Sequence, residues 1–127
     1  LLQPTSPLRT TEDIEDAILM AVESSAEALV SVTEVTMHPY LTRVMDKDNI
    51  LKPIIKEDNV KTRRRQDMPD VYGINGAIYI NKLDSLVASK DFVPENTVGY
   101  IMPQERSVDI DTTWDFKLAE FLLKQDN

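Results

Sequence analysis

The stretch TTEDIEDAILMAVESSAEALVSVT, residues 10–33, decides the fold class. Its first threonines can cap a helix, and Glu12 and Asp13 favour the helix N-terminus that follows. Apolar residues then recur on one predicted helical face, namely Ile14, Ile18, Ala21 and Val22. The run at residues 28–33 is rich in β-branched residues and too short for a second helix, which indicates a buried strand. This order of elements is typical of a crossover unit.

The same alternation continues towards the C-terminus. Strands are predicted at residues 75–80 and 98–102, with a short helix at residues 82–88 between them. A last helix is predicted to begin near residues 112–113, with Asp115 completing a capping box. Its apolar face, interpreted as core, consists of Trp114, Leu118, Phe121 and Leu122. Alternating helices and strands predict an α/β protein with a mainly parallel sheet flanked by helices.

Residues 37–70 differ in character from the segments on either side. Charges are frequent there, and Pro39 and Pro53 interrupt any regular pattern. Short strands are predicted at residues 41–45 and 51–54, joined by a polar turn. Because apolar residues are few, the segment can hardly form a core of its own. We interpret it as an arm that packs on a partner chain.

Length and composition narrow the functional classes. A chain of 127 residues with 42% hydrophobic residues is sized for a single domain. Its formal net charge of −8 argues against nonspecific binding to nucleic acid or to anionic membrane surfaces. Without cysteine it has neither disulfides nor a thiolate zinc site nor a cysteine nucleophile, which fits a cytoplasmic protein. No apolar stretch approaches the roughly 20 residues of a membrane-spanning helix.

The first residues are typical of a strand that ends inside a fold. The two leucines at residues 1–2 run directly into the loop QPTSP at residues 3–7, where two prolines exclude helix. We therefore expect the chain to be the C-terminal portion of a larger α/β protein. Gln3, Thr5 and Ser6 would then lie at the C-terminal end of a strand, where open α/β sheets bind ligands. The alternative is an ordinary turn held by proline.

The segment SVDID at residues 107–111 is the strongest local signal of chemistry. In an extended stretch Asp109 and Asp111 point to the same side, because side chains alternate. Two carboxylates that converge repel each other unless a cation lies between them, and their hard oxygen atoms suit Mg²⁺ or Mn²⁺. The alternative is that Asp109 is solvated and that Asp111 helps to cap the last helix.

Three other features carry weaker signals. The basic run KTRRR at residues 61–65 can bind a carboxylate or phosphate, or it can form a solvated loop. Asn75 and Gly76 either bring the backbone close to a ligand or make a tight turn. His38 is the only histidine, and since nothing near it resembles a nucleophile elbow, we interpret it as a structural or a surface residue.

Four motifs together resemble a known enzyme family. They are LQPTSPLR at residues 2–9, RRQDMP at 64–69, NGAIYI at 75–80 and SVDID at 107–111. In this order and at these intervals they resemble the acylneuraminate cytidylyltransferases, the CMP-sialic acid synthetases. The resemblance spans nearly the whole chain.

This resemblance implies a fold and a reaction. The fold would be the Rossmann-like fold of nucleotide-diphospho-sugar transferases, with an extended dimerisation arm and a homodimeric assembly. A nonulosonic, sialic-type acid would attack the α-phosphate of CTP, releasing pyrophosphate and forming the CMP-sugar. The catalytic Mg²⁺, or Mn²⁺, would be held by Asp109 and Asp111.

The resemblance also implies substrate contacts. Gln3 would contact the acyl substituent of the sugar. Arg65, on the arm of one subunit, would bind the sugar carboxylate in the site of its partner, as an Arg fork suits a carboxylate. Further predicted substrate-binding residues are Thr5, Ser6, Gln66, Asn75 and Gly76.

Two departures from the family pattern leave alternatives open. The Gly-rich, basic loop that cradles the CTP phosphates in the family has no counterpart in this chain. Some sialate-activating members carry a lysine where this chain has Leu41, with Arg43 nearby. Legionaminic, pseudaminic or a related acid is therefore an alternative substrate. Another alternative is a noncatalytic segment that provides only dimerisation and sugar recognition.

Overall fold

The computed structural model describes residues 1–55 and 64–125, without the side chain of Arg65. In chain order its helices and strands are α1 (Thr11–Glu23), β1 (Ala28–Glu34), β2 (Arg43–Met45), β3 (Leu51–Pro53), β4 (Tyr72–Asn81), α2 (Leu83–Ser89), β5 (Val98–Ile101) and α3 (Thr113–Gln125). Short 3₁₀ turns occupy Pro39–Leu41, Arg65–Asp67 and Gln104–Arg106. The chain divides into two compact units, one of residues 1–33 and 73–127 and one of residues 34–72.

The first unit is built on a three-stranded sheet of order β4-β1-β5. β1 and β5 run parallel, with Leu29 opposite Val98. β4 runs antiparallel to β1, because the Glu27 carbonyl accepts from Lys82 N–H and the Ser31 hydroxyl, further along β1, accepts from Ile78 N–H. The α/β class is confirmed, but the prediction of a mainly parallel sheet is wrong, since the sheet is mixed.

Helix α1 covers one face of this sheet. Its N-terminus is a capping box of Thr10 and Asp13, which confirms the predicted start. The core consists of Ala17, Leu29, Ala77, Ile78 and Met102, with Ile14 and Ala21 packed against it. Ile18 and Val22 were predicted on the packed face but are half-exposed and exposed, because the buried stripe follows Ile14, Ala17 and Ala21.

Helix α3 begins with a second capping box, as predicted. Asp115 accepts from the Thr112 N–H at 2.8 Å and from its hydroxyl at 2.7 Å. These bonds lower the pKa of Asp115, the Thr112 hydroxyl contributing most. The interpretation of the aromatic face as core is wrong: Trp114 and Phe121 are exposed, and among the described residues of α3 only Ala119 is fully buried.

Residues 1–2 do not form a buried strand. The side chains of Leu1 and Leu2 are exposed. The backbone of Leu1 nevertheless exchanges two hydrogen bonds with Tyr79, at 2.7 and 2.9 Å. These bonds lie on the edge of β4 that faces away from β1, because neighbouring residues of a strand direct their backbone groups to opposite edges.

The second unit contains the antiparallel hairpin β2–β3, with Val44 opposite Lys52. Asp46 closes its turn by accepting from the N–H groups of Asp48 and Ile50, and it pairs with Lys52 at 2.9 Å. The predicted strand at residues 41–45 is shorter than expected, because Pro39 starts a 3₁₀ turn that ends at Leu41. Among the described side chains of this unit, none is fully buried.

Within residues 1–55 and 64–125, none of the helices is both long and apolar enough to cross a bilayer.

Candidate active site

Three polar side chains converge on a glycine of β4. Gly76 is buried and has a φ of +75°, a backbone conformation that favours glycine. A Cβ placed on it would lie 2.7 Å from Gln3 Oε1 and 3.4 Å from both Ser6 Oγ and Asp109 Oδ2. The segments at residues 3–6 and 107–111, which the sequence singled out separately, therefore meet at this point.

The loop that carries Gln3 and Ser6 is fixed by an arginine. Arg9 Nη1 donates to the carbonyl oxygens of Gln3 and Ser6, both at 2.6 Å. Ser6 is fully buried, and its hydroxyl donates to the Asn75 carbonyl at 3.3 Å. The Thr5 side chain is exposed, and its carbonyl accepts from Ile110 N–H at 2.8 Å. The loop is thus joined both to β4 and to the segment that carries Asp109.

Asn75 lies beside Gly76 with its carboxamide turned into the protein. It is 5% exposed, and its Oδ1 accepts from the Ser31 hydroxyl at 2.6 Å and from Ala77 N–H at 3.2 Å. Its Nδ2 donates to Ser107 Oγ at 2.9 Å. The predicted substrate-binding residue Asn75 is therefore next to the cluster, with its polar atoms already hydrogen-bonded inside the protein.

The carboxylate of Asp109 has the chemistry of a cation ligand. Its Oδ1 is buried and has no hydrogen-bond partner among the described residues. A buried carboxylate oxygen without a partner is costly unless a cation compensates for it. Within residues 1–55 and 64–125 there is no cluster of three or more histidine or acidic residues that could enclose a metal. A cation here fits the pattern of Mg²⁺, which is held by one or two carboxylates together with water and substrate phosphates.

Asp111 lies two residues after Asp109, and its side chain is exposed. The cap of α3 is made by Thr112 and Asp115, and Asp115 Oδ2 also accepts from the backbone N–H of Asp111 at 3.3 Å. The alternative in which Asp111 caps the helix through its side chain is therefore not needed to explain the start of α3.

The other predicted site residues belong to the second unit. Arg65 begins the 3₁₀ turn Arg65–Asp67, and Gln66 is exposed in that turn. Most of the basic run, residues 61–63, lies outside the described residues, as does the side chain of Arg65. His38 Nε2 donates to the Pro69 carbonyl at 3.1 Å, and its Nδ1 accepts from Tyr40 N–H at 3.2 Å, which agrees with a structural role.

An ion pair connects the segment before Asp109 to the start of α1. Arg106 donates to both oxygens of the buried Asp13, at 2.8 and 2.9 Å. Burial raises the pKa of the Asp13 carboxyl, but the hydrogen bonds from Arg106 and Thr10 outweigh it, so the pKa lies below its ordinary value. The same pair raises the pKa of Arg106.

We expect Arg106→Leu to destabilise the protein by about 3 kcal/mol, because it leaves Asp13 buried and unpaired. Since the pKa of Asp13 is lower in the folded chain than in the unfolded one, this stabilisation is complete above about pH 4 and is lost as the pH falls through the lowered pKa. Urea unfolding of wild type and variant at neutral and acidic pH measures both effects.

Lys82→Met is the control for this prediction, because it breaks the exposed pair of Lys82 with Glu27. It should cost less than about 1 kcal/mol at any pH. An Arg106→Leu variant as stable as wild type at neutral pH would contradict the assigned role of the buried pair.

Sequence reasoning did not identify Arg9, Arg106 or Ser107 as residues that organise the site. Arg106 reaches Asp13 across 93 positions of the sequence, and Asn75 reaches Ser107 across 32. Neither local spacing nor periodicity reports on contacts at such separations. Arg9 is closer to its partners, but nothing in its neighbourhood distinguishes it from an ordinary surface arginine.

Comparison with known proteins identifies relatives of the chain. No protein-family model matches it. It is 35% identical over 116 residues to an N-acylneuraminate cytidylyltransferase of Streptococcus agalactiae, covering 91% of this chain and 28% of that protein. It is 32% identical over 126 residues to a CMP-N,N'-diacetyllegionaminic acid synthase of Legionella pneumophila, covering 98% of this chain and 53% of that protein. It is 29% identical over 126 residues to post-translational flagellin modification protein B of Campylobacter coli, covering 99% of this chain and 52% of that protein.

These matches show that the chain is similar to parts of proteins named cytidylyltransferases or CMP-acid synthases. The chain is homologous to proteins named N-acylneuraminate cytidylyltransferase, which confirms the resemblance that the four motifs indicated. The chain spans about half the length, or less, of these curated relatives.

Proposed function

We propose that the protein carrying this chain activates a nonulosonic acid by transferring CMP to it from CTP, with release of pyrophosphate. The observation that carries the proposal is the convergence of Gln3, Ser6 and Asp109 on Gly76, in a chain homologous to cytidylyltransferases. Relatives named for sialic and for legionaminic acid products support the class of acceptor. The cluster on this chain would serve the acceptor and the metal.

The residues of the chain suit this chemistry. In the reaction a hydroxyl oxygen of the acid bonds to the α-phosphorus of CTP and gives up its proton to solvent, and the bond from that phosphorus to the pyrophosphate oxygen breaks. Asp109 and Asp111 would hold the Mg²⁺ or Mn²⁺ ion, and when bound this ion neutralises charge on the phosphate oxygens. Gln3, whose backbone is fixed by Arg9, would bind the acyl substituent through its amide. Such a reaction depends on positioning and charge neutralisation, so no side-chain nucleophile is required.

The proposal extends to the fold and the assembly. We propose that the mixed sheet is part of a Rossmann-like nucleotide-diphospho-sugar transferase fold in a cytoplasmic homodimer, with residues 37–70 as the dimerisation arm. The hairpin supports this role, because Val44, Met45 and Leu51 are each more than half exposed. An exposed apolar surface of this kind marks a site of association. Arg65 would extend from the arm to bind the sugar carboxylate in the partner's site, with Gln66 beside it.

The proposed shared site predicts that two impaired variants complement each other. Arg65→Ala should raise the KM for the acid, since the carboxylate loses its bidentate partner. Mixed with Asp111→Asn subunits, it should regain about a quarter of the wild-type activity, because half of the dimers are mixed and each has one intact site. No recovery in a mixture shown to contain heterodimers would mean that Arg65 and Asp111 serve the same subunit's site.

Pyrophosphate release tests the proposed reaction directly. The protein carrying this chain is incubated with CTP, Mg²⁺ and one acid at a time, namely N-acetylneuraminic, legionaminic or pseudaminic acid. Release with one of these acids, and none without acid, is the expected result and identifies the substrate. A folded, dimeric protein that releases no pyrophosphate with any of them contradicts the proposal.

A second candidate is a noncatalytic role in dimerisation and sugar recognition. The observation in its favour is the exposed apolar surface of the β2–β3 hairpin, which marks a site of association. Calorimetric titration with the same three acids distinguishes the two candidates. Binding of an acid without any pyrophosphate release would support the second candidate, whereas binding with release supports the first.

A further inference from the structure

A chain of side-chain hydrogen bonds crosses the sheet and ends two residues before Asp109. It runs from Ser31 on β1 through Asn75 on β4 to Ser107. Ser31 is fully buried, and Asn75 is 5% exposed. Buried polar groups are nearly always hydrogen-bonded. Each donor and acceptor in this series therefore has a partner that can be named.

Each hydrogen bond in this series has only one possible assignment of donor and acceptor. Ala77 N–H lies 3.2 Å from one end of the Asn75 carboxamide, and because a backbone N–H can only donate, that end is the oxygen. The other end is therefore the NH₂ group, which donates to Ser107 Oγ. The Ser107 hydroxyl in turn donates to the Pro103 carbonyl at 2.7 Å. At the far end Ile78 N–H donates to Ser31 Oγ, and Ser31 donates to Asn75 Oδ1.

Asp109 lies between two anchors of its own backbone segment. On one side Ser107 is held by the carboxamide of Asn75, and on the other side Ile110 N–H donates to the Thr5 carbonyl. Its buried Oδ1 lacks a hydrogen bond, and Oδ2 faces Gly76. Because no hydrogen bond from the described residues holds Asp109 Oδ1 in place, the position of that oxygen depends on the two backbone anchors.

We infer that Asn75 and Ser107 are positioning residues for the metal-binding carboxylate of Asp109. They would not touch substrate themselves: Asn75 holds Ser107, and Ser107 holds the backbone that carries Asp109. In other metal sites, residues that orient the metal ligands by hydrogen bonds have a similar role. Loss of such a residue typically reduces metal affinity by about 10- to 100-fold. The inference rests on the proposed metal site at Asp109.

Direct binding of Mn²⁺ alone tests this inference without any turnover. Free Mn²⁺ is measured by its electron spin resonance signal, at a temperature at which all variants are folded. Ser107→Ala removes the acceptor of the Asn75 carboxamide and should raise the Kd for Mn²⁺ roughly 10-fold. Ser107→Thr keeps the hydroxyl and should bind Mn²⁺ within about twofold of wild type, which a loss of stability alone does not explain.

Two further variants complete the experiment. Ser89→Ala is the matched control, because the Ser89 hydroxyl also bonds to neighbouring backbone groups, those of Asp91, away from the cluster. It should bind Mn²⁺ like wild type. Ser31→Ala, which loosens the far side of Asn75, should weaken Mn²⁺ binding less than Ser107→Ala does. Asp109→Asn should lose Mn²⁺ binding at this site.

The outcomes separate this inference from the proposed reaction. If Ser107→Ala binds Mn²⁺ as wild type does while Asp109→Asn does not, the positioning role is overturned. If Asp109→Asn binds Mn²⁺ normally, the metal site is overturned and the positioning role with it. If Mn²⁺ binding depends on Ser107 as expected and yet no pyrophosphate is released, the inference is supported and the proposed reaction fails.

Discussion

Asp109→Asn is expected to reduce pyrophosphate release by roughly 1,000-fold or more in the protein carrying this chain. In the proposed site the carboxylate would provide charge for a cation, and that cation would supply several kcal/mol of transition-state stabilisation. Each 1.4 kcal/mol corresponds to about tenfold in rate. The asparagine side chain has the same shape but no charge. Since it removes a buried charge that lacks a hydrogen bond on Oδ1, the melting temperature should stay the same or rise.

Asp91→Asn is the matched control for this experiment. Asp91 is exposed, and its Oδ1 accepts from Val93 N–H, a bond that an asparagine oxygen can also accept. It should leave both activity and melting temperature unchanged. Wild-type turnover of Asp109→Asn at saturating Mg²⁺ would remove Asp109 from the mechanism, whereas loss of activity together with unfolding would make it a structural residue.

The sequence predicted the elements of the first unit well because each depends on local pattern. Each capping box spans four residues, and the apolar residues of α1 repeat at intervals of three or four. Both patterns can therefore be recognised in a short stretch of sequence. The direction of β4 could not be predicted in this way. An alternating strand has the same pattern in either direction, and residues 35–71 separate β4 from β1 in the chain.

Burial was less predictable than secondary structure. The apolar spacing of α3 indicates a helical face, but what covers that face is decided by other elements, and Trp114 is exposed. The candidate site shows the same division. Its residue types could be chosen from motifs, whereas the meeting of Gln3 with Gly76, and of Asn75 with Ser107, is a tertiary property. The hydrogen bonds of the Asn75 side chain to Ser31, Ala77 and Ser107 are tertiary contacts of this kind, which no local pattern reports.

Gly76→Ala is expected to have the second large effect, because both backbone and space oppose a side chain there. At a φ of +75° a residue with Cβ is strained by about 1–3 kcal/mol. Its Cβ would also lie 2.7 Å from Gln3 Oε1, closer than real contacts allow, so the Gln3 side chain must move. Displacement of a positioning group by an ångström costs up to about 100-fold in rate. Steady-state kinetics with varied acid should therefore show kcat/KM reduced by that order, together with a lower melting temperature.

Gly99→Ala is the control for Gly76→Ala, because it adds a methyl group to the same sheet away from Gln3 and Asp109. Gly99 lies in β5, opposite Val30, and a Cβ there would meet only Val32 Cγ2 at 3.5 Å and Cγ1 at 3.9 Å, which is ordinary van der Waals contact. Because its φ is not positive, alanine should be tolerated or slightly stabilising. If both variants lose activity equally, the sheet as a whole is intolerant of added side chains. If Gly76→Ala keeps full kcat/KM, the space beside Gln3 and Asp109 is not where the acid binds.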